Sequence, residues 1–231
     1  SYLETIKMID EIKKIFEKKI EKELKLTKVG SPLFVKKSSG LQDDLSGKEK
    51  AVGFIKEDEK FEIVHSLAKW KREALGRYEF PVHTGLYTDM KAIRKDEEVD
   101  ATHSLYVEQW DWEKVIDESD RTIDYLKETV INICLAIHEA SVELQKLFPK
   151  LDYVFPKDVT FIDSYSLEKM YPNNTSKERE NLFVKEHGTT FLMKISGILA
   201  SGEPHDGRAP DYDDWDLNGD ILVYNPVLDS A

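Results

Sequence analysis

The sequence predicts an α+β fold, mainly antiparallel sheet flanked by helices, and three observations carry that reading. Segments with strand-like alternation come in neighbouring pairs joined by short polar links, as antiparallel hairpins do. Between the pairs run longer segments whose apolar residues recur at helical spacing. At 231 residues and 40% hydrophobic, the chain is large enough for one substantial core, so a single domain over residues 1–231 is expected.

The elements follow in order. Residues 2–25 set Ile6, Ile9, Ile12, Phe16, Ile20 and Leu24 in one helical stripe. Leu26–Val35 reads as a strand, and Pro32 within it lacks an N–H, which places the strand at an edge or near an interface. Gly40–Gly47 is a polar loop. Strands at Ala51–Lys56 and Phe61–Leu67 flank the charged turn Glu57–Lys60, and a helix runs from Lys69 to Arg77. A second hairpin pairs Gly85–Arg94 with the run His103–Glu113 across the charged link Lys95–Asp100. Asp120 can N-cap a long helix to Phe148, striped by Ile123, Leu126, Val130, Ile133 and Ile137. Val159–Ile162 reads as a strand, and Thr175 with Glu178 forms a capping box for a helix ending at Gly188. Strands at Thr190–Ile195 and Ile221–Asn225 come last, around a Gly- and Asp-rich stretch at 201–220. The chain has no internal repeat.

Charge narrows the function classes. The net charge of −12 repels phosphate backbones and leaves no basic footprint for nucleic acid. The lysines of the first helix are interleaved with acids, as on a solvated face. No apolar run is long enough to span a bilayer and no secretory signal opens the chain, so a cytoplasmic protein is expected. The single cysteine, Cys134, sits beside Ile133 and Leu135 in a helical stripe and reads as core, not nucleophile.

The run Gln109-Trp-Asp-Trp-Glu113 is the most informative segment. Alternation sets Gln109, Asp111 and Glu113 on one strand face, with Trp110 and Trp112 on the other. Burial of the tryptophan face would leave the polar face as the floor of a site. Arg94 falls near the mouth of this hairpin, with Glu97 three residues on. A guanidinium there suits phosphate, because its planar fork meets two oxygens at once. The same two residues could also form an ordinary surface ion pair of little worth. His65 and His103 fall on predicted strands, where a core or supporting role fits better than metal ligation.

Six segments in order carry a family resemblance: Gly40–Gly47, Val64–Arg72, Gly85–Arg94, the Gln-Trp-Asp-Trp-Glu run, Arg208–Trp215 and Leu217–Val223. Together they resemble the ammonia-dependent asparagine synthetases (aspartate–ammonia ligases), which share the catalytic fold of the class II aminoacyl-tRNA synthetases. The resemblance runs from about Ser31 to the end and is looser over Lys114–Gly207. It implies ligation of ammonia to the β-carboxylate of L-aspartate through a β-aspartyl-adenylate, with ATP and Mg²⁺, in a cytoplasmic homodimer. Position by position it implies Asp43 near the β-carboxylate and ammonium, Ser66 and Lys71 on substrate aspartate, and Arg94 on the α-phosphate. It further implies Gln109 at the substrate's side-chain end, Asp111 at its α-amino group and Glu97 at the adenine edge. Asp213 and Asp220 fall near the nucleotide, Asp220 also near its metal.

Each assignment has a plainer counterpart. Asp43 could form an Asx turn in its loop, Lys71 could be one more exposed helix cation, and Asp213 and Asp220 could belong to a solvated acidic loop. The pattern also departs from the family. The chain ends at Ala231, before an acidic segment and a Gly-rich motif bearing a second arginine. The link between Trp215 and Leu217 is short, and Glu108 stands where Asp is common. A truncated or non-catalytic paralogue that binds aspartate or adenine nucleotide is therefore the alternative. A tRNA-aminoacylating enzyme fits less well, given the acidity and the lack of room for an anticodon module. With Ser1 opening a helix and no glutaminase nucleophile there, free ammonia is the expected nitrogen source.

Overall fold

A computed structural model describes residues 1–43, 45, 49–208 and 213–231. Parts of the Gly40–Gly47 loop and of the Arg208–Trp215 segment therefore lie outside the described residues. The elements are α1 (Tyr2–Leu24), β1 (Leu26–Lys28), β2 (Phe34–Lys36), β3 (Gly53–Lys56), β4 (Glu59–Ile63), α2 (Ala68–Arg77), β5 (Gly85–Ile93) and β6 (Tyr106–Lys114). They continue with α3 (Ile123–Leu147), β7 (Thr160–Asp163), α4 (Ser164–Met170), α5 (Ser176–His187), β8 (Thr190–Met193) and β9 (Gly219–Leu222). The chain divides into two compact units, one of residues 1–24, 118–207 and 214–231, the other of residues 25–117 and 208–213.

The first unit is a three-layer arrangement. β7 and β8 pair in parallel, with α4 and α5 in the crossover between them, and β9 adds antiparallel to β8. Alternation along β8 divides its side chains. Phe191 packs with Val130 and Cys134 of α3, and Leu192 packs with Leu167 of α4 and Phe183 of α5. α1 packs on α3, where Lys19 reaches Glu139 at 3.5 Å and Glu143 at 3.1 Å. Only the C-terminal half of the α1 stripe is buried, through Ile15, Phe16, Ile20 and Leu24. Ile6 and Ile9 remain exposed.

Two helix starts show how local chemistry sets boundaries. The Thr175 hydroxyl accepts from the Glu178 amide while the Glu178 carboxylate accepts from the Thr175 amide, the capping box read from the sequence. The expected N-cap Asp120 is corrected to Thr122, whose hydroxyl takes the Tyr125 amide. Asp120 is instead the last residue of a 3₁₀ turn, and its carbonyl accepts from Thr122.

The second unit is built on two three-stranded sheets, β1-β5-β6 and β2-β4-β3. The expected strand across Leu26–Val35 is in fact two. β1 runs parallel to β5 and β2 antiparallel to β4, so the chain changes sheets and Pro32 lies in the connection. Parallel pairing of β1 with β5 and of β7 with β8 makes their two sheets mixed, while β2-β4-β3 is antiparallel throughout. The charged turn is tighter than expected: Glu57 and Asp58 alone link β3 to β4, both at positive φ, 50° and 66°.

The β5–β6 hairpin fixes which side chains share a face. Leu86 lies opposite Glu113, Thr88 opposite Asp111 and Met90 opposite Gln109, and directly opposed residues project to the same side. Gly85 is required at the start of β5, because a Cβ there would collide with the Glu113 carbonyl. On the acid-bearing face Leu86, Thr88, Met90 and Ala92 are fully buried. Trp70, Ala74 and Leu75 of α2 belong to the same core as Leu86, Met90 and Ala92. A fully buried Leu or Met contributes roughly 1.5–3 kcal/mol relative to exposure. The expectation that Trp110 and Trp112 bury one face holds in part: both are half-buried, with a fully buried Tyr87 opposite Trp112, while Asp111 and Glu113 are half-buried on the other face, which is covered as well.

Among the described residues no helix is long and apolar enough to cross a membrane.

Candidate functional site

Segment His65–Lys71, the end of a loop and the first turn of α2, collects the groups that matter in the second unit. Asp43 is fully buried, and its carboxylate accepts from the amides of Ala68 at 2.7 Å and Lys69 at 3.3 Å. These are orphan donors at a helix N-terminus, where negative charge is favoured. Asp43 is thus no Asx turn; it reaches from its own loop to α2. Next to it, Gln42 donates to the Ile63 carbonyl at 2.8 Å and accepts from the His65 amide at 3.0 Å. The sequence reading missed Gln42, because a lone polar residue in a loop carries no periodicity to mark it. The Ser66 hydroxyl is half-buried and accepts weakly from the Ala68 amide at 3.4 Å.

Arg94 comes to the same segment from the hairpin. Its Nε and Nη2 each donate to the His65 carbonyl at 3.3 Å. Among the described residues the guanidinium makes no ion pair with Glu97, which contacts Arg94 only through backbone, amide to carbonyl at 3.2 Å. Neutral carbonyl contacts orient the fork without discharging it. His65 is correspondingly not on a strand but beyond the end of β4, buried, with its Nδ1 unpaired. His103 is likewise in a loop, its ring bonding Asp100 at 2.9 Å.

Lys71 is no exposed cation. Its ammonium, 4% exposed, lies 2.5 Å from Asp111 Oδ1, 2.9 Å from the Trp112 carbonyl and 3.6 Å from Glu113. Arg72, also absent from the sequence reading, donates to Glu113 at 3.2 Å. These two cations explain why a covered strand face tolerates acids. Asp111 Oδ2 is left buried with no partner. Gln109, on the same face, is exposed and makes no hydrogen bond among the described residues.

Asp213 is half-buried, and burial pushes its carboxyl above the usual range against the lowering fields of Arg208 and Arg72. Asp220 belongs to the first unit, half-buried on β9 opposite Leu192. Asp43, Ser66, Lys71, Arg94 and Asp111 are therefore joined through one short segment, Asp213 feels Arg72 beside it, and Glu97 and Gln109 flank the group. Such a set offers cations for anionic oxygens and carboxylates for an ammonium.

The aspartate-ammonia ligase family model matches residues 3–231. The chain belongs to the aspartate–ammonia ligase family. It is 54% identical over 231 residues to the aspartate–ammonia ligase of Clostridium tetani, covering 99% of this chain and 68% of that protein. It is 52% identical to that of Fusobacterium nucleatum, covering 98% and 69%. Members are ATP-dependent ligases, and this chain is an enzyme of that type. The fold is that of class II synthetases. The asparaginyl-tRNA synthetase of Entamoeba histolytica, in complex with asparaginyl-adenylate, aligns with TM-score 0.59 at 13% identity, over 83% of this chain and 43% of that one. The Pyrococcus horikoshii enzyme, complexed with asparaginyl-adenylate, gives 0.57 at 10% identity, over 81% and 44%.

Proposed function

We propose that the residues gathered on His65–Lys71 activate the β-carboxylate of L-aspartate with ATP and then pass it to ammonia. A β-carboxylate oxygen attacks the α-phosphorus, the bond to the β-phosphate breaks and pyrophosphate leaves. Ammonia then attacks the acyl carbon of the β-aspartyl-adenylate, loses a proton and expels AMP, leaving L-asparagine. The convergence of Asp43, Ser66, Lys71, Arg94 and Asp111 on one segment is the observation that supports this reading most.

Each residue has a defined task. Arg94, oriented by the His65 carbonyl and unpaired with any acid among the described residues, spans α-phosphate and carboxylate oxygens as charge develops. The substrate's α-ammonium docks on Asp111, whose Oδ2 has no partner, and its α-carboxylate draws on Lys71 and Ser66. Gln109 bonds the side-chain end. Asp43, fixed by two amides, keeps lone pairs free to hold ammonium and accept its proton. Glu97 reads the adenine edge and Asp213 serves the nucleotide; the resemblance assigns Asp220, a residue of the first unit, to the nucleotide as well. Mg²⁺, a hard cation that takes carboxylate oxygens, would be held through Asp220 and would neutralise phosphate charge when bound. Residues 1–231 act as one catalytic domain in this reading.

The exposed Ile6 and Ile9 on α1 support pairing of two copies into a homodimer, a closed assembly that would cover them. Aspartate, ATP and ammonium incubated with the protein should yield asparagine and AMP in equal amounts. Formation of ADP without AMP would remove the adenylate.

A further inference from the structure

β4 ends at Ile63, and the chain then runs without regular structure to the start of α2 at Ala68. Buried backbone amides in such a stretch need partners from outside a ladder. His65 is 2% exposed, and its amide finds its partner in a side chain, donating to Gln42 Oε1 at 3.0 Å. Gln42 Nε2 in turn donates to the Ile63 carbonyl at 2.8 Å. The Ile63 carbonyl and the His65 amide are the two groups that one residue of a neighbouring parallel strand would engage across Val64. One carboxamide thus takes the place of a residue of strand where no strand runs. Its orientation is fixed, because the carbonyl only accepts and the amide only donates.

Gln42 is itself held in place. It is buried, its own carbonyl accepts from Lys69 Nζ at 3.4 Å, and the next residue, Asp43, takes the first amides of α2. The consequence falls on Arg94. Its Nε and Nη2 both donate to the His65 carbonyl at 3.3 Å, on the far side of the residue whose amide Gln42 holds. Two contacts that share one oxygen follow the direction of that carbonyl, so whatever turns His65 turns the guanidinium. Asparagine at 42 would be one methylene too short to span both partners, and an ionised glutamate would lack the donor for Ile63.

We propose that Gln42 is a positioning residue for the adenylation step: by holding the His65 amide it aims the His65 carbonyl, and that carbonyl aims Arg94. This rests on the α-phosphate role of Arg94 given above, whereas the hold of Gln42 on the guanidinium stands on geometry alone. Aim matters because a reacting group displaced by about 1 Å costs on the order of a hundredfold in rate. Gln42 touches neither substrate nor phosphate in this scheme, and docking of aspartate on Lys71 and Asp111 does not pass through it.

The test is Gln42→Met, which keeps similar volume and removes the carboxamide. In the intact protein the Arg94 Nε–H signal of nitrogen-edited NMR is identified by its loss in Arg94→Lys. Its hydrogen exchange should quicken about fivefold or more in Gln42→Met, as one net hydrogen bond is lost. Aspartate-dependent pyrophosphate exchange should slow about tenfold or more at saturating substrate, with the KM for aspartate within about twofold of the parent. Added to Arg94→Lys, Gln42→Met should slow pyrophosphate exchange by no more than about twofold further, because its effect runs through a fork already gone. A glutamine that only supported the fold would lower the melting temperature and leave the Arg94 signal unmoved. If Gln42→Met does not fold, Gln42→Asn should show the same changes in smaller measure. No protected Arg94 signal in the parent, hydrogen exchange unchanged in the variants, or rate losses that multiply in the double variant would each overturn the proposal. A parent without aspartate-dependent pyrophosphate exchange, whose Arg94 signal still responds to Gln42→Met, would instead refute the adenylating reading and leave the hold on the guanidinium standing.

Discussion

Replacing Lys71 with methionine should destabilise the second unit through one identifiable loss. The ammonium lies 2.5 Å from Asp111 and 2.9 Å from the Trp112 carbonyl, with the lysine 4% and the aspartate 21% exposed. Methionine fills similar volume but removes the ammonium paired with Asp111, and the neighbouring cation Arg72 is engaged by Glu113. Breaking a fully buried pair costs about 3–5 kcal/mol, and partial access of water to Asp111 puts Lys71→Met near ~3 kcal/mol. For a chain of this size that is a fall of roughly 6–12 °C in melting temperature. The double variant Lys71→Met with Asp111→Asn removes both charges and should recover stability relative to the single, leaving about 1 kcal/mol for the stranded Trp112 carbonyl. Melting curves by circular dichroism supply the cycle, and aspartate binding should be lost in both variants. A double variant no more stable than Lys71→Met, or a single variant that melts within about 2 °C of the parent, would refute the ion-pair account.

Arg94→Lys should slow aspartate-dependent pyrophosphate exchange by roughly a hundredfold, since one point contact replaces a fork at about 3 kcal/mol, while the melting curve barely moves. Near-native exchange would sink the phosphate assignment of Arg94. In the first unit, burial pushes the Glu180 carboxyl up, but hydrogen bonds from His205 and Lys177 overcome it and hold the group below its ordinary 4.5. A depressed acid contributes stability that is complete above that value and disappears as pH falls through the lower folded one. The urea-midpoint gap between the parent and Glu180→Gln should accordingly shrink below about pH 4.5, and a gap independent of pH would count against the pair. Sedimentation should give a two-chain mass that Ile6→Glu with Ile9→Glu converts to one chain; a parent that sediments as a single chain at high concentration removes the homodimer.

What the sequence made legible was whatever local chemistry decides. The Thr175–Glu178 box needs only residues within one turn of each other, and the α1 span follows from its own stripe. Asp120 and Thr122 were separable only by knowing that the chain makes a 3₁₀ turn first. α4 escaped notice because its seven residues are too few for a period to show. The strand expected across Pro32 failed because the switch from one sheet to another is a tertiary event. The hairpin carrying Gln109, Asp111 and Glu113 has the alternation its sequence implies, but both its faces carry fully buried residues, Leu86 and Thr88 on the acid side and Tyr87 on the tryptophan side. Nothing local to β6 tells that α2 will lay Lys71 and Arg72 over the acids. The family words placed Asp43 and Arg94 as candidates, whereas their shared anchorage on His65–Lys71 is a property of the folded chain alone.

Cys134 gives the molecule a use as its own instrument. It is the sole cysteine, buried in the core between α3 and β8 of the first unit, and burial raises its thiol above the ordinary range. A reagent must therefore wait for that unit to open, and its labelling rate counts openings. Three of the four tryptophans, Trp70, Trp110 and Trp112, belong to the second unit, so intrinsic fluorescence follows mainly the other half of the chain. Thiol trapping and tryptophan emission recorded on the same unmodified sample would show whether the halves open as one cooperative body or in turn. Substrates added to that sample would report which half they tighten.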